Sequence, residues 1–537
     1  QATGYEIEQS IRFNDNDSAY MSRTHTASNK RTFTWSAWVK RASLGGYQRL
    51  FSVVDSGDDE SFIFRDDGPK DQLQFYSGDA SMDLKTNRVF RDVSAWYHIL
   101  LVIDTTQTVS SQRGRIYING IRETDFATET YPSKDAQTAF NGNVVHEMGR
   151  SANSGQYFDG YMAEIHFLDG YAYGPEFFGE FNSSNIWIPK EYTGDYGDNG
   201  FKIDGRDSGD LGDDESGEGH DWSTSGLAAH DQVADSPTNN FAVLNVIDTF
   251  NRAGGELRNG NLEFKDNSAN EYVYCRATFE FDVTDSDGWY WESTDVVDGS
   301  GIGGITEVET QLPGSSSLAF TGARGFNSIN TSQHYKLENT TYQATTLGVT
   351  SNAGDIIQFC VKNGKLFIGI NGTYVLSGNP ATEANPLFSS LTGKFMPFAG
   401  IYSGASYNTI HNFGQDGTFA GTKTAQGNTD ANGFGNFFYA PPTGTGQRIG
   451  KFLPYTDNGT IAKSVIMDKA SSPRLSRTPS SAGNRKTFTL SMWIKRCLLG
   501  SPRHMILTTS NSGGTAGDFL YFNTDNTIKF TDDDSGD

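Results

Sequence analysis

The sequence is poor in cysteine: only Cys275, Cys360 and Cys497 occur in 537 residues. None stands at metal-ligand spacing, so the sequence predicts neither a disulfide framework nor a zinc site. Cys275 and Cys360 lie on strand-like runs of one proposed domain, which leaves a single bridge open as an alternative. Two buried thiols are the favoured interpretation, because free cysteine packs like a small apolar side chain.

Long apolar runs and an excess of basic charge are also missing. No run approaches the roughly 18 residues of a membrane-spanning helix, and no signal peptide precedes Gln1, so we expect a soluble chain without membrane insertion. The formal charge is 42 − 65 = −23, a field that repels nucleic acid and anionic lipid, which excludes both as expected partners. The start at Gln1 and the acidic end at residues 531–537 suggest processing or a piece of a longer protein.

Common catalytic motifs are absent as well. The sequence holds no G-x-S-x-G elbow, no H-E-x-x-H helix and no P-loop. Acidic pairs are plentiful, but none stands out as the two carboxyls that glycoside hydrolysis needs. His98, His146 and His166 fall within strand-like runs, where packing outweighs catalysis. We therefore expect that the protein is not an enzyme.

Glycine and aromatic residues are abundant by contrast. Sixty glycines and 13% aromatic residues are typical of short strands joined by tight turns. Single cores stop growing at roughly 250 to 300 residues, so a chain of this length predicts several domains in series. The sequence therefore predicts an all-β protein built from tandem antiparallel β-sandwiches.

An internal repeat is the most informative feature. Residues 32–41, TFTWSAWVKR, recur as residues 487–496, TFTLSMWIKR, at an offset of 487 − 32 = 455, and the same offset relates residues 73–75 to 528–530. Apolar and polar residues alternate in both copies, which is the pattern of a strand with one face in a core. One fold therefore begins twice.

Three further strand-like runs follow the first copy, at residues 96–104, 114–120 and 158–167. Asn119 and Gly120 favour a type I′ hairpin turn, because both central residues of that turn need a positive φ. The order W-x-x-I-x-x-x-x-D, I-Y-I-N-G and F-D-G-x-x-A-E-I resembles the laminin-G, concanavalin-A-like family over residues 10–172. The resemblance is partial over residues 462–537, where the second half of the module is missing. It implies a jelly-roll sandwich.

The middle of the chain carries a different pattern: W-Y-W-E at residues 289–292, then G-D-I-I, then N-G-K-L-F-I-G-I-N-G-T at residues 363–373, then H-N-F-G-Q. Both N-G dipeptides in the third run again predict hairpin turns. The pattern over residues 240–418 is similar to the SPRY family, a two-sheet sandwich that usually binds proteins. The usual tryptophan of the family's G-K-L-W stretch is Phe367 here.

Two segments lack the branched apolar residues of a core. One is acidic and rich in glycine, and the other is rich in Gly and Thr and contains Pro441 and Pro442; both are predicted to be linkers. The predicted domains are a laminin-G-like sandwich at residues 1–203, a linker at 204–239, a SPRY-like sandwich at 240–418, a linker at 419–461, and the N-terminal part of a second laminin-G-like sandwich at 462–537.

Acidic loops are the first candidate site. The candidate ligands of a calcium ion, the one cofactor that the sequence suggests, are Asp55, Asp58, Asp59, Glu60, Asp66 and Asp67. No D-x-D-x-D-G loop is present, and a solvated acidic loop that confers solubility is the competing interpretation.

Aromatic residues in loops are the second candidate, because sugar rings stack on tyrosine and tryptophan while polar groups bind their hydroxyls. The candidate ligand-binding residues are Tyr47, Tyr76, Tyr171, Tyr173 and Trp187. Ordinary packing is the alternative for each of them.

The combination of both modules in one acidic chain resembles large structural proteins of tailed bacteriophages, notably marine ones. The resemblance implies an extracellular protein on the virion surface, either a tail fibre or a capsid-attached fibre, that binds host-surface glycan or protein, contacts other virion subunits and forms a homo-oligomer, commonly a trimer. The alternatives are a purely architectural virion component and a saccharide-cleaving enzyme with accessory lectin modules.

Overall fold

A computed structural model describes most of the chain up to residue 442 and short stretches beyond it. The described residues are 5–55, 58–68, 70–151, 153, 155–250, 255–266, 272–295, 301–310, 312, 320–330, 333–339, 341–347, 349–402, 407–442, 474–478, 490, 492, 494, 503–509, 519–524 and 527–531. They contain strands and five 3-10 turns but no α-helix, so the all-β prediction is confirmed. The chain divides into two compact units, one formed by residues 1–308 and 312–456 and the other by residues 309–311 and 457–537.

The first unit begins with a sandwich of two eight-stranded antiparallel sheets. Its strands are β1 (Ser10–Phe13), β2 (Tyr20–Thr24), β3 (Thr32–Arg41), β4 (Gln48–Asp55), β5 (Asp58–Phe64), β6 (Gln72–Ser77), β7 (Met82–Val89), β8 (Tyr97–Asp104), β9 (Gly114–Ile118), β10 (Ile121–Arg122), β11 (Phe126–Thr130), β12 (Val145–Met148), β13 (Gly160–Asp169), β14 (Gly179–Phe181), β15 (Trp187–Pro189), β16 (Phe201–Ile203), β17 (Ser223–Ser225) and β18 (Gln232–Val233). The front sheet has the order β10-β9-β8-β3-β13-β1-β18 with β16 also paired to β13, and the back sheet has the order β11-β7-β6-β5-β4-β12-β2-β17. Strands β14 and β15 form a separate hairpin.

The alternation predicted for β3 is present, but both of its faces are covered. Phe33, Trp35 and Val39 point into the core between the sheets. On the opposite face Ser36 and Lys40 are buried as well, because later parts of the chain cross the outer side of the front sheet. The predicted turn between β9 and β10 is confirmed by positive φ values of 48° at Asn119 and 76° at Gly120.

A second sandwich completes the first unit. Its strands are β19 (Leu244–Phe250), β20 (Gly255–Arg258), β21 (Glu263–Asp266), β22 (Tyr272–Ala277), β23 (Phe281–Asp282), β24 (Trp289–Asp295), β25 (Gly301–Glu307), β26 (Ala323–Asn330), β27 (Gln333–Glu338), β28 (Thr341–Thr346), β29 (Ile356–Lys362), β30 (Lys365–Ile370), β31 (Thr373–Tyr374), β32 (Lys394–Tyr402) and β33 (Asn408–Asn412). One sheet has the order β19-β22-β32-β25-β26-β27-β28 with β23 beside β32, and the other has the order β20-β21-β33-β24-β29-β30-β31.

Local predictions for this sandwich hold. The Asn-Gly pairs that begin at Asn363 and Asn371 both have positive φ and connect β29 to β30 and β30 to β31. Cys275 and Cys360 are both buried thiols, as the favoured interpretation has it. Cys497 lies outside the described residues.

Neither predicted linker is a simple tether. Leu211 and Trp222 lie in the core of the first sandwich, and β17 and β18 extend its two sheets. In the second predicted linker, Phe419 and Phe437 are fully buried against the second sandwich, while residues 443–461 lie outside the described part. Composition alone predicted these parts wrongly as tethers, because a few large apolar side chains anchor an otherwise polar segment. The domain boundaries themselves stay predictions.

The second compact unit contributes a three-stranded antiparallel sheet of β34 (His504–Thr508), β35 (Phe519–Phe522) and β36 (Ile528–Thr531). Most of the repeated segment at residues 487–496 lies outside the described residues. Whether this unit copies the first sandwich therefore stays a prediction.

Candidate functional site

The segment at residues 170–200 crosses the outer face of the front sheet and forms the candidate site. Thr34 of β3 fixes its start, since the Thr34 hydroxyl donates to the Tyr171 carbonyl at 2.8 Å and accepts from the Tyr173 amide at 3.1 Å. Beyond a 3-10 turn (Pro175–Phe177), buried aromatic side chains hold the segment down. Phe178, Tyr192 and Tyr196 pack against Leu100, Val102 and Leu168 of the sheet.

Three aromatic rings that do not enter this buried layer form a stack, here called the aromatic stack: Tyr171, Tyr173 and Phe177. The ring centroids of Tyr171 and Tyr173 lie 5.4 Å apart at 26°, and those of Tyr173 and Phe177 lie 4.2 Å apart at 13°. Phe177 is 39% exposed and both tyrosines are half-buried. The arrangement keeps apolar ring surface at the solvent boundary.

The polar ends of the stack are available for contacts. Within the described residues, neither the Tyr171 nor the Tyr173 hydroxyl has a hydrogen-bond partner. Partial burial and the nearby carboxylate of Asp195 raise the pKa of Tyr171, so its hydroxyl stays protonated and can both donate and accept. Flat apolar rings with free hydroxyls at their edges can bind the apolar C–H face and the hydroxyls of a sugar ring.

The structure thus brings together two of the five predicted aromatic residues and adds one that the sequence reasoning missed. Phe177 was not among the candidates because only tyrosine and tryptophan were considered, although its spacing in Y-x-Y-x-x-x-F was a usable signal. The three rings are neighbours through a turn that no period-2 or helical pattern describes.

The other three predicted aromatic residues lie elsewhere. Trp187 is half-buried and packs on the Asn119–Gly120 turn, where a Cβ on Gly120 would lie 2.3 Å from the indole. Tyr47 is covered by the Arg65 guanidinium at 4.9 Å. Tyr76, on β6 of the back sheet, is 42% exposed. Within the described residues, none of the three makes a ring contact with the aromatic stack; the ring contacts of Trp187 are to His98 and Phe181.

A buried polar network lies beneath the same segment. The Glu164 carboxylate accepts from Tyr5 at 2.9 Å and is paired with His166 at 3.2 Å and Lys202 at 3.5 Å. Burial alone raises the pKa of Glu164, but the hydrogen bond and charge of His166 and the charge of Lys202 outweigh it and lower that pKa. Glu164 has a φ of +48° at an irregular step in the pairing of β13 with β3, which is the geometry of a β-bulge.

The cavity beside this network is closed to a saccharide. It measures about 10 Å³ and is lined in part by Tyr5, Ser36, His98 and Glu164, a volume that suits one water molecule rather than a sugar ring. Ser36 and His98 form a 2.9 Å hydrogen bond, and burial lowers the pKa of His98 to about 3. This histidine is neutral at pH 7 and serves packing, in line with the prediction made from its strand position.

A second cavity of about 10 Å³ lies between the sheets of the second sandwich, beside Asp295 and His411. Burial, together with the charge of Asp355, raises the pKa of Asp295 to about 7. Burial lowers the pKa of His411 to about 3. This cavity is also too small for a saccharide.

The six predicted calcium ligands do not converge. Asp55 and Asp58 face each other at one end of the β4–β5 hairpin, next to the Val54–Asp59 pair, whereas Asp66 and Asp67 follow the far end of β5, roughly 20 Å away for a seven-residue strand. Asp66 pairs with Lys70, and Asp67 with Arg65, each at 2.7 Å.

Glu60, the remaining predicted ligand, is fully buried. Its carboxylate accepts from the Ser77 hydroxyl and from the amides of Asp79 and Ala139, and burial raises its pKa to about 7. No group of three or more His, Cys, Asp or Glu side chains within the described residues can hold a metal ion. A calcium ion bound at either end of the hairpin stays a prediction.

No helix in the part of the chain that the structure describes has the length and apolarity to cross a membrane. No curated protein matches the chain. Among solved structures, a Bacteroides ovatus protein named for carbohydrate binding matches with 15% identity over 41% of this chain and 58% of that one, at a TM-score of 0.29. This chain thus spans less than two thirds of that protein's length.

Two other solved structures also match the chain. The TRIM65 PSpry domain matches at 12% identity over 32% of this chain and 90% of its own, with a TM-score of 0.24. Domains LG4-5 of the mouse laminin alpha1 chain match at 9% identity over 76% of this chain and 88% of that one, with a TM-score of 0.26. Residues 14–172 match the family described as the concanavalin A-like lectin/glucanases superfamily, and this part of the chain is therefore similar to lectin-type sandwiches.

Proposed function

We propose that the chain is a non-enzymatic, saccharide-binding protein of a bacteriophage virion surface, and that the aromatic stack is its binding site. The observation that carries the proposal is the face-to-face packing of Tyr171, Tyr173 and Phe177 at the solvent boundary. Aromatic surface at the solvent boundary is available for a ligand to cover.

The shape of the molecule favours this surface over its interior. Neither of the two cavities described above has room for a sugar ring, which favours a binding site on the surface. At the stack, Tyr173 lies between the other two rings, so Tyr171 and Phe177 offer the ring faces for stacking, and the two phenol hydroxyls offer hydrogen bonds. A rigid front sheet lies underneath, since Thr34 and the buried layer around Tyr192 fix the segment, and a preorganised surface loses little entropy on binding.

The virion role rests on the resemblance of the whole chain to tailed-phage structural proteins. A single aromatic stack binds a sugar weakly, and many copies displayed on one particle turn weak sites into firm attachment. A tail fibre or capsid-attached fibre, assembled as a homo-oligomer in contact with other virion subunits, provides that display. Host-surface glycan is the proposed partner in the extracellular medium.

A glycan microarray tests the binding site. The probes are the 537-residue chain, the Tyr173→Ala variant, which removes the central ring of the stack, and the Tyr76→Ala variant, which removes an exposed tyrosine on the other sheet. We expect glycan signals for the chain and the control, and their loss for Tyr173→Ala, with the thermal unfolding midpoints of all three within a few degrees. Phe177→Ala is the second test variant if Tyr173→Ala unfolds.

Two results would overturn the proposal. One is an array on which the chain binds no glycan, and the other is binding that survives in both stack variants. The virion location has its own test, since a density map of an assembled particle without this chain on its exterior contradicts it. New reducing ends released from host polysaccharide by the chain would contradict the non-enzymatic part.

A further inference from the structure

A fully buried lysine of the first sandwich contacts the segment that leads into the second. Lys40 lies on β3, and its ammonium donates to the Asp235 carboxylate at 2.7 Å. It also donates to the side-chain oxygen of Asn240 at 2.8 Å and to the Phe241 carbonyl at 3.0 Å. An ammonium has three N–H groups, so each of them has a protein partner here and none is left for water.

The Asn240 amide is held in a fixed orientation towards this lysine. Its Oδ1 accepts from Lys40, while its Nδ2 donates to the Ser94 carbonyl at 2.8 Å. A carbonyl bond is about 1.2 Å long, so Asn240 Cγ lies no more than about 4 Å from Lys40 Nζ. Reacting atoms in near-attack geometry are roughly 3 to 3.5 Å apart. A small side-chain movement therefore brings the nitrogen to the amide carbon.

The Asp235 carboxylate is placed to act as a general base. Its Oδ2 contacts Lys40 Nζ, and its Oδ1 accepts from the Trp96 indole at 2.9 Å. Neither Lys40 nor Asp235 has exposed side-chain surface. Burial raises the pKa of Asp235, against the charge of Lys40, which lowers it. A raised pKa favours transfer of a proton from the ammonium to the carboxylate, and the neutral amine that results is a nucleophile.

We propose that Lys40 and Asn240 form an amide bond between their side chains, with Asp235 as the catalytic residue. Asp235 takes a proton from the ammonium, and Lys40 Nζ attacks Asn240 Cγ. A bond forms between Nζ and Cγ, and the bond between Cγ and Nδ2 breaks as Nδ2 takes the proton held by Asp235 and leaves as ammonia. The second proton lost from Nζ goes to that ammonia. An ammonium ion is released, and Asp235 is again a carboxylate.

This bond would join the two sandwiches covalently, and it is independent of saccharide binding. It closes a loop of 200 residues, from 40 to 240, and the restriction that a cross-link places on the unfolded chain grows with loop length. The released ammonium has a route outward, because Ser94 and Asn240 are only half-buried. No oxidant, metal or cofactor is required.

Peptide mapping of the purified 537-residue chain tests the proposal. The chain is digested with trypsin, freshly prepared and after prolonged incubation at neutral pH, and the peptides are sequenced by tandem mass spectrometry. We expect a branched peptide that joins Lys40 to Asn240, lighter than its two parts by one ammonia, and no cleavage after Lys40. The intact mass alone does not decide, since Gln1 at a chain start can lose ammonia by cyclising.

The chain contains its own control at the surface. Lys365 and Asn363 both donate to the Glu383 carboxylate, at 2.8 and 2.5 Å. Lys365 and Glu383 are partly exposed, and the Asn363 amide offers its nitrogen rather than its oxygen to the group between them. We expect these peptides to be recovered without a link in the same digest.

Variants test the role of each reactant. Asn240→Ala keeps the Lys40–Asp235 ion pair but has no amide to attack, so it should give no branched peptide. Asp235→Asn keeps both reactants and should form the bond about a hundredfold more slowly, as expected for loss of a general base. The bond is read directly in the unmodified chain, so the test does not depend on the folding of either variant.

Three results would overturn the proposal. Recovery of the Lys40 and Asn240 peptides from the incubated chain as separate species shows that no bond forms. A branched peptide lighter by one water instead of one ammonia places the bond on Asp235 and not on Asn240. A bond that forms as fast in a folded Asp235→Asn chain as in the unmodified one removes Asp235 as the catalytic residue.

Discussion

The guanidinium of Arg12 donates to the carboxylate of Asp416 at 2.8 Å across 404 positions of the chain. Both side chains are buried, and Asp231 accepts from the same guanidinium at 3.2 Å. Burial alone lowers the pKa of Arg12, but the charges of Asp416 and Asp231 outweigh it and raise that pKa. Arg12 belongs to the first sandwich and Asp416 follows the last strand of the second, so this ion pair fastens the two sandwiches to each other.

A second buried ion pair, made by a lysine, supports the same interface. The Lys40 ammonium lies 2.7 Å from Asp235 and donates to the Asn240 side chain and the Phe241 carbonyl. Trp96 donates to the other oxygen of Asp235 at 2.9 Å. The segment between the sandwiches is thus held at Asp231 and Asp235 and does not act as a tether.

Replacement of Arg12 tests the ionic fastening. Arg12→Met leaves two buried carboxylates without their cation, and a broken buried pair costs about 3 to 5 kcal/mol. We expect the free energy of unfolding in urea to fall by that amount. The control is Arg65→Met, whose partner Asp67 is partly exposed, and a surface pair contributes less than about 1 kcal/mol. A similar decrease of the unfolding free energy in Arg12→Met and Arg65→Met would contradict the role given to Arg12.

Trp222 tests whether the acidic segment belongs to the first core. Its side chain is 2% exposed and packs on Phe201 and Phe51. Truncation of a buried tryptophan to alanine typically costs about 3 to 5 kcal/mol, so we expect Trp222→Ala to lower the unfolding free energy by that amount. Ser225→Ala, an exposed position on the neighbouring strand, should be nearly neutral. A tether would show no difference between the two variants.

The pH dependence of stability follows from buried neutral histidines. Burial lowers the pKa of His411 to about 3, below the ordinary value near 6.5, so the unfolded chain binds the proton more readily. The stability that this residue contributes is present above about pH 6.5 and is lost as the pH falls toward 3. Between pH 7 and pH 5 the loss is about 2 kcal/mol.

Other buried groups change the stability with pH in the opposite direction to His411, so a variant is needed to isolate the effect of His411. Glu60 is one of these groups: its pKa is raised to about 7 in the fold, so the stability it contributes is lost as the pH rises from the pKa of an unfolded glutamate to about 7. His411→Gln keeps a polar partner for the Thr409 hydroxyl, which lies 2.8 Å from the imidazole. Urea unfolding at pH 7 and pH 5 should show the unmodified chain losing about 2 kcal/mol more than the variant. If the unfolding free energy of the unmodified chain and of His411→Gln fell equally between pH 7 and pH 5, His411 would be protonated in the fold.

Features encoded over a few residues were predictable from the sequence. The turn at Asn119 and Gly120 follows from the φ requirement of a tight hairpin, and the burial of Trp35 follows from alternation in one strand. Such signals need no knowledge of distant partners. For this reason the fold class and the hairpins were predicted correctly.

Features that depend on distant partners were missed. The burial of Lys40 requires Asp235 to return from a segment that composition marks as a linker. In the aromatic stack, Tyr171 and Tyr173 were candidates by residue type alone, and their contact with Phe177 depends on how residues 174–177 turn over the front sheet. Similarly, the acidic residues were grouped by sequence distance, and the length of β5 separates them in space.

Sugar binding by the aromatic stack can be measured by isothermal titration of the strongest array glycan into the unmodified chain, Tyr173→Ala and Tyr76→Ala. We expect a dissociation constant at least tenfold weaker for Tyr173→Ala, equivalent to about 1.4 kcal/mol, and an unchanged constant for Tyr76→Ala. Equal constants for Tyr173→Ala and the unmodified chain would contradict sugar binding by the stack.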